Sequence, residues 1–327
     1  MRSREVARAL PAMVAEGLLT PEQAAPLLAV ARGDVVSVRG ELRALLGLAV
    51  TALTAGVGMW IVAWRERLGP LAIAVLLGLA ATATLVLLVR RSPPFTWARS
   101  EGRDWTIDGL ALLAVGLVGA ELAWIETQFA ALGPGWAWHL LMMSLITGAL
   151  AIRFDSIPTW TLALATFAAW RGVALMPTAA GQLERTLFGR EDRFRVEFLI
   201  CGALFLVLAR AAERLDRKRH FEPATTLLAF VAAALGLMTG LGESGAWPLW
   251  ALALGALGLV TAVWAFRRRR RGLLALGALA VYVPVTRFLF EVPGAMYFGC
   301  FWFLASAIGA IVLLVLVHRH FQRTEPR

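Results

Sequence analysis

Residues 121–171 read ELAWIETQFAALGPGWAWHLLMMSLITGALAIRFDSIPTWTLALATFAAWR. A carboxylate (Glu121), an amide (Gln128), an imidazole (His139) and a guanidinium (Arg171) interrupt apolar sequence that elsewhere is nearly free of charge. The runs between them approach the roughly 20 residues that a helix needs to cross a bilayer. In lipid the backbone must satisfy its own hydrogen bonds, so such runs are helical. This stretch sets the expected fold: an all-α, polytopic membrane helical bundle.

The rest of the chain extends the pattern. Hydrophobic residues make up 59% of the 327, and mean hydropathy is +0.70, above what an ordinary soluble domain carries. About ten transmembrane helices are expected, near 44–64, 70–89, 107–126, 134–152, 158–176, 195–211, 223–241, 247–266, 272–290 and 295–317, within a transmembrane domain of residues 44–318. Residues 319–327 are a basic cytoplasmic tail. Residues 1–43 read as a short cytoplasmic amphipathic helical hairpin. Its first helix runs from Arg4 to Glu16 with Gly17 as the stop, and its second opens at Thr20, Pro21 and Gln23, the pattern of a capping box. No signal-peptide core precedes the first span, which is expected to stay in the product.

Of the 32 Lys and Arg residues a single one, Lys218, is lysine, and the net charge is +10. Basic residues concentrate in alternate loops, which places those loops and both termini in the cytoplasm and argues against nucleic acid as a partner. The discordant loop, 177–194, mixes Arg185, Arg190 and Arg193 with Glu184, Glu191 and Asp192, as an amphipathic helix on the outer surface would. Arg267, Arg268, Arg269, Arg270 and Arg271 form a stop at the inner face suited to anionic lipid. Trp60, Trp64, Trp136, Trp138, Trp170, Trp247 and Trp250 fall near outer ends, and Trp97, Trp105, Trp160 and Trp264 near inner ones, as interfacial anchors do. Gly236 and Gly240 have the spacing of close helix packing. Spans three to five and seven to nine share a pattern of helix, GPGWAW or SGAWPLW turn, helix and helix, with Arg171 and Arg287 in equivalent places.

Helix rise puts Glu121, His139 and Arg171 each roughly 8 Å below the outer surface. Charges in hydrocarbon need partners, so Glu121 is expected to approach Arg171 with His139 nearby, Gln128 extending the same helix face. Arg287 and Glu291, four apart on one helix, can pair. Arg153 and Asp155 bracket a tight RFDSIP turn as an inner-face clamp, and Asp108 is interfacial. Such a layer either locks helix order or lines an outward-facing polar cavity.

Catalytic signatures are missing: there is no His-Glu-x-x-His helix, no Gly-x-Ser-x-Gly elbow and no phosphate loop. Cys201 and Cys300 make no metal or disulfide pattern, and His139, His220, His318 and His320 lie on different segments or at non-helical spacing. No catalytic, cofactor-binding or metal site is expected.

Three stretches carry a family resemblance: LPAMVAEGLLTPEQAAPLLAVARGD followed by SVRGELRALLG, GAELAWIETQFAALGPGWAWHLL, and RFDSIPTWTLALATFAAWRG. They cover roughly the first half of the chain and resemble the bacterial integral-membrane family known as domain of unknown function 2157, with Gln128 at the position of that family's helix-three amide. The resemblance implies a fold type and the bacterial cytoplasmic (inner) membrane, and no substrate. Two functions are then expected to compete: a small-solute or ion transporter or permease built on the polar layer, and a membrane-anchored sensor or assembly scaffold whose residues 1–43 bind a cytoplasmic protein.

Overall fold

The computed structural model describes residues 3–32, 39–100, 105–130, 132–173, 191–243 and 245–291, with Phe301, Trp302, Ala305, Ser306 and Gly309. The expected span at 295–317 and loop 177–194 therefore fall largely outside the described residues, as do Cys300, His318, His320 and the tail 319–327. Every regular element among the described residues is helical.

The chain forms two units, residues 1–73 and 74–327. In the first, α1 (Ser3–Ala15) and α2 (Pro21–Arg32) make a hairpin over Leu10 and Ala24, both buried. Gly17 turns the chain at φ 72°. The capping box forms as its sequence requires. The Thr20 N–H donates to Gln23 Oε1 at 3.1 Å and the Gln23 N–H to Thr20 Oγ1 at 3.3 Å. Helix α3 (Arg39–Leu68) is 30 residues long, and α4 (Pro70–Arg91) begins at the unit's end.

The second unit continues α4 and adds α5 (Trp105–Phe129), α6 (Trp138–Phe154), α7 (Ile157–Val173), α8 (Glu191–Leu215), α9 (Glu222–Thr239), α10 (Trp247–Arg267) and α11 (Arg271–Phe290). Consecutive helices pack as antiparallel hairpins: α6 on α7, α8 on α9, α10 on α11, with α5 against both α6 and α7. Small residues let backbones approach. A Cβ at Gly258 of α10 would sit 2.7 Å from the Gly277 carbonyl oxygen of α11, and one at Gly236 of α9 would sit 3.0 Å from the Arg195 carbonyl oxygen. Gly236 therefore does the packing expected of it.

The two three-helix groups share one order of elements. Helix α5, a 3-10 turn at Gly133–Gly135, α6, a left-handed Asp155 and α7 match α9, a 3-10 turn at Gly240–Gly242, α10, a left-handed Arg269 and α11. Both groups close their second hairpin with one residue at positive φ, 61° at Asp155 and 55° at Arg269.

Five helical stretches among the described residues are long and apolar enough to cross a membrane: α4, α5, Arg219–Gly242, α10 and α11. Helix α6 is apolar but has 17 residues. Large apolar side chains also cover the outward faces, with Leu79, Leu145, Val207, Leu252 and Val260 all more than half exposed. Water would not tolerate that much apolar surface, whereas lipid does. The chain is a multi-pass helical membrane protein.

Candidate functional site

Ionisable groups of the second unit gather at its two ends. At the end holding the α4–α5, α6–α7, α8–α9 and α10–α11 connections, a buried node joins the first three and a neighbouring ion pair adds the fourth. Asp155 stands in the left-handed conformation after α6, which Asp tolerates better than most residues, and is 1% exposed. Its Oδ1 accepts from Lys218 Nζ at 2.7 Å and its Oδ2 from the Ser100 N–H at 2.9 Å. His220 Nε2 also lies 2.7 Å from Oδ1. Lys218 is itself buried and left-handed, and its backbone N–H donates to the Trp97 carbonyl at 2.9 Å. Arg153 Nη1 donates to the Pro93 carbonyl at 3.3 Å.

Burial pushes the Asp155 carboxyl up, but the Lys218 hydrogen bond, the Ser100 N–H and the charges of His220 and Lys218 outweigh it. The net result is a carboxyl held below its ordinary range. Next to it, Ser156 Oγ donates to Asp108 Oδ1 at 2.6 Å and accepts from Thr159 Oγ1 at 2.8 Å. Further along, Glu222 receives Arg270 Nη1 at 2.9 Å and Thr226 Oγ1 at 2.9 Å. Trp160 Nε1 donates to Thr225 Oγ1 at 2.8 Å, its ring stacked on Phe221 at 5.2 Å.

The opposite end holds separate pairs. Glu126 Oε2 accepts the Leu132 N–H at 2.8 Å and lies 3.1 Å from His139 Nε2. Arg171 Nε donates to Glu197 Oε2 at 2.7 Å, tying α7 to α8. Arg195, 4% exposed, bonds Glu243 and lies 3.9 Å over the Trp250 ring, whose Nε1 donates to Glu243 Oε2 at 3.0 Å. Arg195 and the Trp250 indole hold the Glu243 carboxyl below the usual carboxylate range. Arg287 Nη2 meets Glu291 Oε1 at 2.7 Å, the expected pair at spacing four.

These contacts correct the expected layer. Glu121 and Arg171 do not meet: Arg171 takes Glu197, and His139 takes Glu126. Helix rise sets their level but not the direction each faces around its helix. Glu121 turns toward α4 instead, where a Cβ at Gly78 would fall 2.8 Å from its Oε1. It is half-buried and, among the described residues, forms no ion pair or hydrogen bond, while Gln128 is exposed. The Arg153–Asp155 clamp is more than a turn, because it ties together segments 55 to 63 residues apart. Asp108 is a bonded member of the node. Trp160 and Trp250 are each hydrogen-bonded within the unit, to Thr225 and Glu243. Arg270, within the arginine run, bonds Glu222.

Sequence reasoning passed over Lys218, Glu222, Glu126, Glu197, Arg195 and Glu243 as site residues. Lys218 had a signal, being the single lysine among 32 basic residues. An ammonium on a slim stem enters a crowded turn where a guanidinium fork does not. No protein-family model, curated protein or solved structure matches the chain.

Proposed function

We propose that this chain is a bacterial inner-membrane protein of about ten spans, with both termini cytoplasmic, that carries a small solute or ion across the bilayer. The observation that carries the reading is Glu121. Among the described residues it is a carboxylate without a partner, inside a helix long enough to span. Ionisable groups at membrane depth mark ion and substrate pathways when nothing neutralises them. The order of elements shared by the two three-helix groups supports the same reading, since many transporter folds are built from internal repeats. The alternating basic loops support the orientation, and membership of the resembled family would agree with the membrane and leave the substrate open.

The test is access to water. In a Cys201→Ala, Cys300→Ala background, Glu121→Cys in sealed vesicles should react with a membrane-impermeant thiol reagent from one side. Protection under all conditions would overturn the transport reading.

A second reading is a membrane-anchored sensor or assembly scaffold acting through residues 1–43. It is favoured by Met13, Leu18 and Leu27, large apolar side chains exposed on the hairpin. Deleting residues 1–32 while leaving uptake intact would count against it.

A further inference from the structure

We propose that the end of the second unit where α8 finishes and α10 turns into α11 binds the headgroup of an anionic phospholipid, with Arg210, Arg268 and the Trp264 indole around its phosphate. The site stands whether or not the chain carries a solute. Helices α8 and α10 both pack on α9, and side chains bridge them at either end. At one end Arg195 of α8 lies over the Trp250 ring of α10. At the other, Arg210 of α8 reaches Trp264 of α10, its Cζ 5.9 Å from the ring centre. This second bridge also draws in the α10–α11 turn. The Arg268 and Arg270 Cζ atoms lie 6.0 Å and 5.0 Å from the centre of the same ring. Guanidinium groups from two segments far apart in sequence thus share one indole.

Residues 210–215 and 267–271 hold seven arginines and one carboxylate, Glu213. Glu213 takes Arg210 Nη1 at 3.1 Å, and Glu222 of α9 takes both Nη atoms of Arg270. The exposed Arg214, Arg267 and Arg268 meet no carboxylate among the described residues. Positive charge is therefore in excess at the point where a helix long enough to span a membrane ends. The indole at the same level is the side chain that favours the headgroup region. A phosphodiester supplies the missing charge, since the N–H pairs of a guanidinium match its free oxygens. The bond to Glu213 uses Nη1 alone, so the other donors of Arg210 stay available. Apolar side chains continue the site along the span. Leu206 and Val207 precede Arg210 by four and three residues, and Val260 precedes Trp264 by four, so each shares a helix face with the group above it. All three are exposed and give acyl chains a surface beside the headgroup. A free phosphate has no use for that surface, which assigns the site to a lipid.

Native mass spectrometry of the full chain in neutral detergent, titrated with dioleoylphosphatidylglycerol or dioleoylphosphatidylcholine, tests the site. The first phosphatidylglycerol should bind at least about fivefold more tightly than the first phosphatidylcholine, and Arg268→Gln or Arg210→Gln should each weaken it by about fivefold. Arg91→Gln removes an equal charge from the end of α4 and should change that affinity by less than about twofold. The three substituted residues are exposed, so each variant should keep the elution profile of the parent. Inorganic phosphate should leave the bound lipid in place. Equal affinity for the two lipids, or equal losses in Arg268→Gln and Arg91→Gln, overturns the proposal. Displacement of the lipid by inorganic phosphate overturns it too, because the arginines then serve a free anion.

Discussion

Lys218 Nζ and Asp155 Oδ1 meet at 2.7 Å across 63 residues of sequence, both side chains buried at the end where four interhelical connections converge. The contact joins the α6–α7 turn to the α8–α9 turn. Removing one partner leaves a buried charge alone, which costs about 3–5 kcal/mol. Lys218→Met should therefore lower the thermal unfolding midpoint in detergent markedly. Asp155→Asn, which still tolerates the left-handed backbone at φ 61°, should do so through loss of charge alone. The double variant should cost less than the sum of the two, because neither charge is then stranded. Additive losses would show the two groups to be uncoupled.

The same carboxylate makes stability depend on acid. Its folded pKa lies below the ordinary value of 3.8, so its contribution is fully present above that value. It is lost as pH falls through the folded one. Unfolding midpoints measured between about pH 7 and about pH 3 should drop at the acid end, and the drop should be smaller in Asp155→Asn. An identical slope in both proteins would remove Asp155 as its source.

Arg171 and Glu197 link α7 to α8, and a double-mutant cycle measures the link. Arg171→Gln and Glu197→Gln should each destabilise, with a coupling of about 0.5–3 kcal/mol between them. The cycle of Arg171→Gln with Glu121→Gln should show none, since those side chains serve different helices. Coupling in the second cycle and none in the first would restore the pairing expected from depth alone.

Local chemistry was legible in advance. Apolar length marked the helices, because a backbone in lipid has no other way to satisfy its hydrogen bonds. The Thr20–Gln23 capping box and the Arg287–Glu291 pair form as expected, since both lie within about one turn and need no knowledge of the rest of the chain. Asp155 was legible as a turn residue, though not as the centre of a node.

Partner choice between helices was not legible. Hydropathy and rise give each charge a level along the membrane normal. They leave open the direction it faces, and a shift of one residue turns a side chain by roughly 100°. Two carboxylates and one guanidinium near a common level thus had several pairings, and packing selected Glu197 for Arg171 and the Gly78 notch for Glu121. Apolar length and charge spacing were enough to establish a helical membrane chain with charges at recurring levels. Which of those charges neutralise each other, and that Glu121 is left over among the described residues, depends on how each helix is rotated against its neighbours, and packing alone decides that.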